Sequence, residues 1–197
     1  MLVLATPLRG SDPNAALVSY GWARFQALFP YQYIACSYEP VLARNRLAAM
    51  ALEDEKTQAV LWADDDNFPS DPRIIQGMLD AREDLIGASY AKKKYPIEPA
   101  HAVLPWGIGL GFGFTITSRR CLEKMTRAAR IYTDHHEGVS RRVANLFGNV
   151  FSGPDEDDEM YSEDVSFCWR WSKLGGRAVL HETGPGKILH SGGHTFG

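Results

Sequence analysis

The chain has 197 residues, 21 Lys and Arg against 24 Asp and Glu, and a formal net charge of −3. Hydrophobic residues make up 45% and charged residues 23%, which excludes an extensively disordered chain and suits one globular domain. No apolar run approaches the ~20 residues that cross a bilayer, so no membrane span is expected, and the near-neutral balance sets nucleic acid aside as a partner.

The opening stretch is too short for a signal peptide and has no basic lead-in. Cys36, Cys121 and Cys168 are odd in number and form no CxxC pair. That argues against a disulfide framework or a cysteine zinc site and fits a reducing, cytoplasmic setting.

Leu2-Val3-Leu4-Ala5 predicts a strand that ends at Thr6-Pro7. Ser11-Asp12-Pro13 has the form of a helix start, a cap followed by proline. Ala16, Leu17, Tyr20, Ala23, Phe25 and Leu28 then supply an apolar helical face. Residues 31–37 predict a second strand and 41–52 a second helix. Ala59–Ala63 reads as a third, buried strand that runs straight into Asp64-Asp65-Asp66-Asn67. Ser70-Asp71-Pro72 opens another helix, and 85–89 predict a fourth strand. Strands alternating with helices imply βαβ units, hence an α/β fold with a central, mostly parallel sheet flanked by helices.

The second half differs. Glycines alternate at 107, 109, 111 and 113, a helix is expected over 118–129, and a polar stretch rich in Asp, His and Arg follows. Residues 155–159 read as an acidic loop behind Gly153-Pro154. A helix over 162–174 stops at Gly175-Gly176, and a last strand over 177–181 precedes a glycine-rich tail. No repeat or linker divides the chain.

Three constellations carry chemistry. Asp64, Asp65 and Asp66 follow a buried strand, and ligands of open α/β sheets bind beyond the carboxyl ends of strands. Adjacent carboxylates repel unless a cation, hydrogen bonds or water offset the charge. Hard ions such as Mg²⁺ or Mn²⁺ take such oxygen ligands and bridge them to phosphates. A solvated loop, or caps for the helix near Ser70, is the structural alternative.

The second constellation is Tyr161-Ser162-Glu163-Asp164 at a helix start, where Ser162 can cap and the acids suit the dipole. A carboxylate fixed on a helix end can equally act as a general base. The third is His190-Ser191-Gly192-Gly193-His194, in which one histidine could complete a metal shell begun elsewhere, although the glycines argue against a helical zinc pair.

The alternating glycines do not spell GxGxxG, because Phe112 stands where the third glycine is needed. They either admit a ligand to the backbone or accommodate a tight bend. Lys92-Lys93-Lys94 reads as a charged turn that could attract phosphate. Trp106, Trp169 and Trp171 suit packing, with stacking on a sugar as the alternative.

Taken together, these residues resemble the GT-A glycosyltransferases, single Rossmann-like domains that use metal and a nucleotide sugar. Leu61-Trp62-Ala63-Asp64-Asp65-Asp66 is similar to the family's strand and DxD motif. Ser162-Glu163-Asp164-Val165-Ser166-Phe167-Cys168-Trp169-Arg170 is similar to its ED helix, and His190 to its late metal histidine.

The resemblance implies a single GT-A domain over 1–197, with a nucleotide-binding half, 1–100, and an acceptor and catalytic half, 101–197. It implies a donor such as a UDP- or GDP-sugar, a hydroxyl acceptor of saccharide type, and Mn²⁺ or Mg²⁺. Asp64 would contact ribose or metal, Asp66 would ligate the metal, and His190 would be the third protein ligand. The extra Asp65 lets the motif be read one residue along, so it joins the nucleotide-binding set. Asp164 would deprotonate the acceptor hydroxyl with inversion, and Glu163 would orient the acceptor or the loop. Thr6, Pro7 and Arg9 match the place where the nucleotide base is gripped; Arg44, Asn45 and Arg46 match the place where base or phosphate is held. A sugar nucleotidyltransferase and a non-catalytic nucleotide-sugar-binding module remain as alternatives.

Overall fold

The apolar runs become strands buried on both faces, and the alternation of side chains sorts them into two cores. In β1 (Leu2–Leu8), Val3 and Ala5 join one core and Leu4 the other; in β3 (Ala59–Ala63), Val60 and Trp62 oppose Leu61 and Ala63. The computed structural model describes residues 1–8, 29, 32–36, 39–64, 67–90, 99–136, 138–151, 159–182 and 188–190. The helix expected behind Pro13 and the Lys92-Lys93-Lys94 turn lie outside the described residues.

Between β1 and β3 come β2 (Gln32–Cys36) and α1 (Pro40–Glu53), close to the expected bounds. β4 (Asn67–Pro69) and α2 (Arg73–Asp80) lead to β5 (Leu85–Ala88). A hairpin, β6 (His101–Leu104) and β7 (Gly107–Leu110), precedes β8 (Phe114–Ser118) and α3 (Arg119–Ala128). β9 (Ile131–His136) and β10 (Val139–Ala144) form a second hairpin where only a polar stretch was expected. α4 (Glu163–Lys173), β11 (Val179–His181) and β12 (Ile188–His190) follow.

The central sheet has the order β11-β5-β8-β3-β1-β2. It is mixed, which corrects the expected mostly parallel sheet. β2, β1 and β3 are parallel, as are β5 and β11, but β8 runs antiparallel to both β3 and β5. The reason is connectivity. A parallel neighbour needs a long crossover, whereas the chain leaving β5 makes only the β6–β7 hairpin among the described residues before entering β8. β1 also runs through Pro7, because its β3 pairing stops at Ala5↔Trp62 and only β2 flanks the proline.

α1, α3 and α4 contribute to the core that contains Trp62, and α2 to the core that contains Leu61. Trp62, Phe112, Phe147 and Phe167 pack as one aromatic cluster with centroids 4.7–5.9 Å apart, inside the preferred range for ring pairs. Trp171, 3% exposed, belongs to the same core, so its role is packing. No helix of the described residues is long and apolar enough to cross a membrane.

The turn after β10 is fastened to α1. The Asn45 Oδ1 accepts from the backbone N–H groups of Leu146 and Phe147, both at 3.0 Å. Asn45→Ala is therefore expected to lower stability by about 2–3 kcal/mol, since at least one buried N–H loses its acceptor. Urea unfolding at equilibrium measures this.

Candidate active site

The connectivity is that expected to leave a crevice at the sheet's end. The chain leaves β1 toward β2 on one side and leaves β3 toward β5 on the other, so β1 and β3 flank a switch point. Ligands of open α/β sheets bind outside the carboxyl ends of strands at such a point. Asp64 lies there, directly after β3, and its N–H donates to the Gly113 carbonyl at 3.2 Å.

The second turn of α1 puts Arg44 beneath the same crevice. Its Nη2 donates to Asp64 Oδ1 at 2.9 Å, and its Nη1 donates to Glu163 Oε1 at 2.9 Å and to Asp164 Oδ1 at 2.7 Å. The guanidinium is the floor: its side chain is 4% exposed, against 34%, 26% and 21% for Asp64, Glu163 and Asp164. Phe147 supports it from the side, 5.9 Å from ring centroid to guanidinium carbon.

α4 brings both acids of its first turn to this point. The expected Ser162 side-chain cap does not form, so the start of the helix relies on its acidic first turn. Asp164 is held twice, because its Oδ2 also accepts from the Phe112 N–H at 3.0 Å.

Burial pushes the Asp164 carboxyl up to about 6; Arg44 and the Phe112 N–H oppose the rise, while Glu163 and Asp64 add to it. Burial also disfavours the Arg44 cation, but Asp164, Asp64 and Glu163 more than offset this and raise its pKa. With three carboxylates around one guanidinium, the cluster carries a surplus of negative charge when all are ionised.

Sequence reasoning missed Tyr90, Asn67 and the Phe112 N–H. The Tyr90 hydroxyl accepts from the Gly113 N–H at 2.9 Å. Burial, then the charges of Asp64 and Asp164, holds this phenol well above its ordinary range, so it remains a hydroxyl. Asn67 is fully buried, and neither its Nδ2 nor its Oδ1 has a hydrogen-bond partner among the described residues.

The alternating glycines were the available signal. A Cβ on Gly113 would lie 2.2 Å from Asn67 Nδ2, 2.5 Å from the Tyr90 hydroxyl and 3.1 Å from Asp64 Oδ2. The bare face at Gly109, Gly111 and Gly113 is therefore filled by the protein's own atoms, whereas Gly107, at φ +132°, has nothing within 4 Å.

The other expected site residues are placed as follows. Thr6 and Pro7 lie near the carboxyl end of β1, which closes at Leu8, and Thr6 is buried. Arg46 is not brought to the cluster: it is buried and pairs with Asp134, its Nη2 donating to Oδ1 at 2.9 Å. Arg9, Asp65, Asp66 and the His190 side chain lie outside the described residues. The backbone of β12 nevertheless pairs His190 with Asn67, the residue that follows Asp66. Among the described residues, no group of three or more His, Cys, Asp and Glu side chains is arranged to hold a metal ion; Arg44 stands between the carboxylates.

The raised Asp164 pKa has a consequence for stability. A carboxyl that binds protons more tightly when folded contributes less stability as pH rises from its ordinary 3.8 to about 6, and nothing further changes above that window. Asp164→Asn lacks this contribution. Its unfolding midpoint is expected to gain on the wild type across that window and to stay ahead at pH 8, which urea titrations at pH 4, 6 and 8 would show.

No family model and no curated protein matches the chain. Among solved structures, the crystal structure of A197 from STIV is similar, with a TM-score of 0.56 and 17% identity over 96% of this chain and 85% of that one. At that identity the likeness shows a shared fold and no more.

Proposed function

We propose that the chain is a metal-dependent glycosyltransferase of the GT-A type, built as one domain and acting in the cytoplasm. It would move a sugar from a UDP- or GDP-sugar to a hydroxyl of a saccharide acceptor, with inversion. The observation that carries this reading is the meeting of Asp64 and Asp164 on one guanidinium at the sheet's switch point. Carboxylates from the end of a strand and the start of a distant helix share one crevice, as a donor side and an acceptor side of one reaction require.

Among the described residues no three ligands are grouped for a divalent cation, so a metal would need ligands from beyond them. Asp64, Glu163 and Asp164 offer hard oxygen donors in excess of the local positive charge. The Asn67 amide adds a buried oxygen that has no partner among the described residues. Asp64, Asp66 and His190 would hold Mn²⁺ or Mg²⁺, which when bound supplies charge neutralisation at the departing diphosphate.

Asp164 accepts the proton of the acceptor hydroxyl. That oxygen bonds to the anomeric carbon as the bond from this carbon to the diphosphate breaks, and the electron pair leaves with the diphosphate. The Phe112 N–H and Arg44 aim the carboxylate, and positioning of this kind is a large part of rate enhancement. A base near 6 is ionised at neutral pH yet retains proton affinity. Transfer is therefore expected to fall away below about pH 6.

Thermal melting with nucleoside diphosphates tests the donor side. One diphosphate at about a hundredfold above its dissociation constant should add roughly 2.7 kcal/mol of stability when Mn²⁺ is present. EDTA or Asp66→Asn should remove that gain. Asp164→Asn should keep the gain and lower kcat by about 10²–10⁴. Stabilisation by no nucleotide would overturn the donor assignment, and undiminished transfer by Asp164→Asn would overturn the base.

A further inference from the structure

We propose that Arg44 is a positioning residue that sets the spacing between the donor-side carboxylate, Asp64, and the acceptor-side pair, Glu163 and Asp164. This rests on the glycosyltransferase reading and deepens it, because the chemistry then depends on one group that need not touch either substrate.

The geometry assigns the task to the shape of the side chain. One planar fork serves both sides: Nη2 takes Asp64 at 2.9 Å, and Nη1 takes Glu163 at 2.9 Å and Asp164 at 2.7 Å. Since the two nitrogens are fixed on one carbon, the carboxylates they hold cannot drift independently. A lysine ammonium has the charge but a single nitrogen, so it cannot reproduce this spacing.

The fork is itself immobilised. The side chain is 4% exposed, Phe147 lies 5.9 Å from the guanidinium carbon, and Phe147 is tied by its N–H to Asn45, the next residue of α1. The loop of contacts closes on the far side. Phe147 packs edge-on against Phe112 at 5.0 Å, and the Phe112 N–H holds the other oxygen of Asp164. A 1 Å misplacement of reacting groups is enough to cost about a hundredfold in rate.

The test separates positioning from binding. Calorimetry with a nucleoside diphosphate and Mg²⁺, and steady-state transfer, are run on wild type, Arg44→Lys and Arg44→Gln. Arg44→Lys should bind the diphosphate within about threefold of wild type while kcat falls about a hundredfold, with Arg44→Gln lower still. Equal loss of affinity and kcat/KM, with kcat kept, would make Arg44 a donor ligand and overturn the proposal, as would kcat unchanged in Arg44→Lys.

If the wild type neither binds nor transfers, the glycosyltransferase reading has failed, and unfolding equilibria judge Arg44 separately. Asp64→Asn and Asp164→Asn should then be non-additive, and their coupling should change by at least about fivefold in the unfolding constant in the Arg44→Gln background, where only the repulsion between the carboxylates is left. Additivity with Arg44 present would overturn the proposal on its own.

Discussion

The site rests on one buried cation. Three carboxylates in a crevice repel one another, and a guanidinium taken out of water is unfavourable without partners; each makes the other tolerable. Arg44 can hold them only if α1 presents it beneath the crevice, if β3 ends at Asp64, and if α4 starts at Glu163. The surrounding packing follows from those demands. The turn after β10 is drawn to Asn45, Phe147 is set beside the guanidinium, and the aromatic cluster around Trp62 fills the space behind it. Such a cluster specifies one arrangement more than it adds stability, because desolvation consumes much of the attraction within it.

The same arrangement explains why Asp164 stands out among the acids. Asp84 and Asp134 each meet an arginine where hydrogen bonding to the charged form prevails over burial, and both are held below the ordinary carboxylate range. Asp164 also meets an arginine, yet burial and two neighbouring carboxylates prevail. An ion pair alone does not decide the proton affinity of a group; burial first, and then the charges that share the partner, decide it. A carboxylate kept proton-hungry against its own salt bridge is a feature of reactive sites more often than of structural ones.

Much of the first half is legible in the sequence, for a physical reason. Strands buried on both faces must be continuously apolar, so Leu2-Val3-Leu4-Ala5 and Ala59–Ala63 stand out, and Asp71-Pro72 marks the start of α2 by its chemistry. β8 escapes notice because Thr115 and Thr117 break its apolar run. Both are buried, and their hydroxyls bond to Gly111 and Trp62, so the strand is as interior as β3 without looking so. The β9–β10 hairpin is hidden differently: its exposed positions carry His135, Ser140 and Arg142, polar residues without an apolar alternation, and the His135 ring and the Ser140 hydroxyl meet across it at 2.8 Å. At the site, the acids were visible as motifs and Arg44 was named through the resemblance, but as a contact to base or phosphate and not as the floor beneath the acids. An arginine on a helix ordinarily reads as surface, and only tertiary packing reveals that Arg44 is interior and Arg46 is committed elsewhere. The glycines before β8 announced close approach without saying what approaches.

β8 has one more consequence, for the order of assembly during synthesis. Its neighbours β3 and β5 precede it by more than twenty residues, and among the described residues β5 pairs only with β8 and β11. Until the ribosome has released residue 118, the strands already made cannot form a continuous sheet, and β5 presents two bare edges. Closure waits on contacts between distant parts of the chain, the class of pairing that slows folding and exposes unpaired edges to other chains. Residues 1–100 and 101–197 are thus not successive folding units: the centre of the sheet begun by the first is completed by a strand of the second.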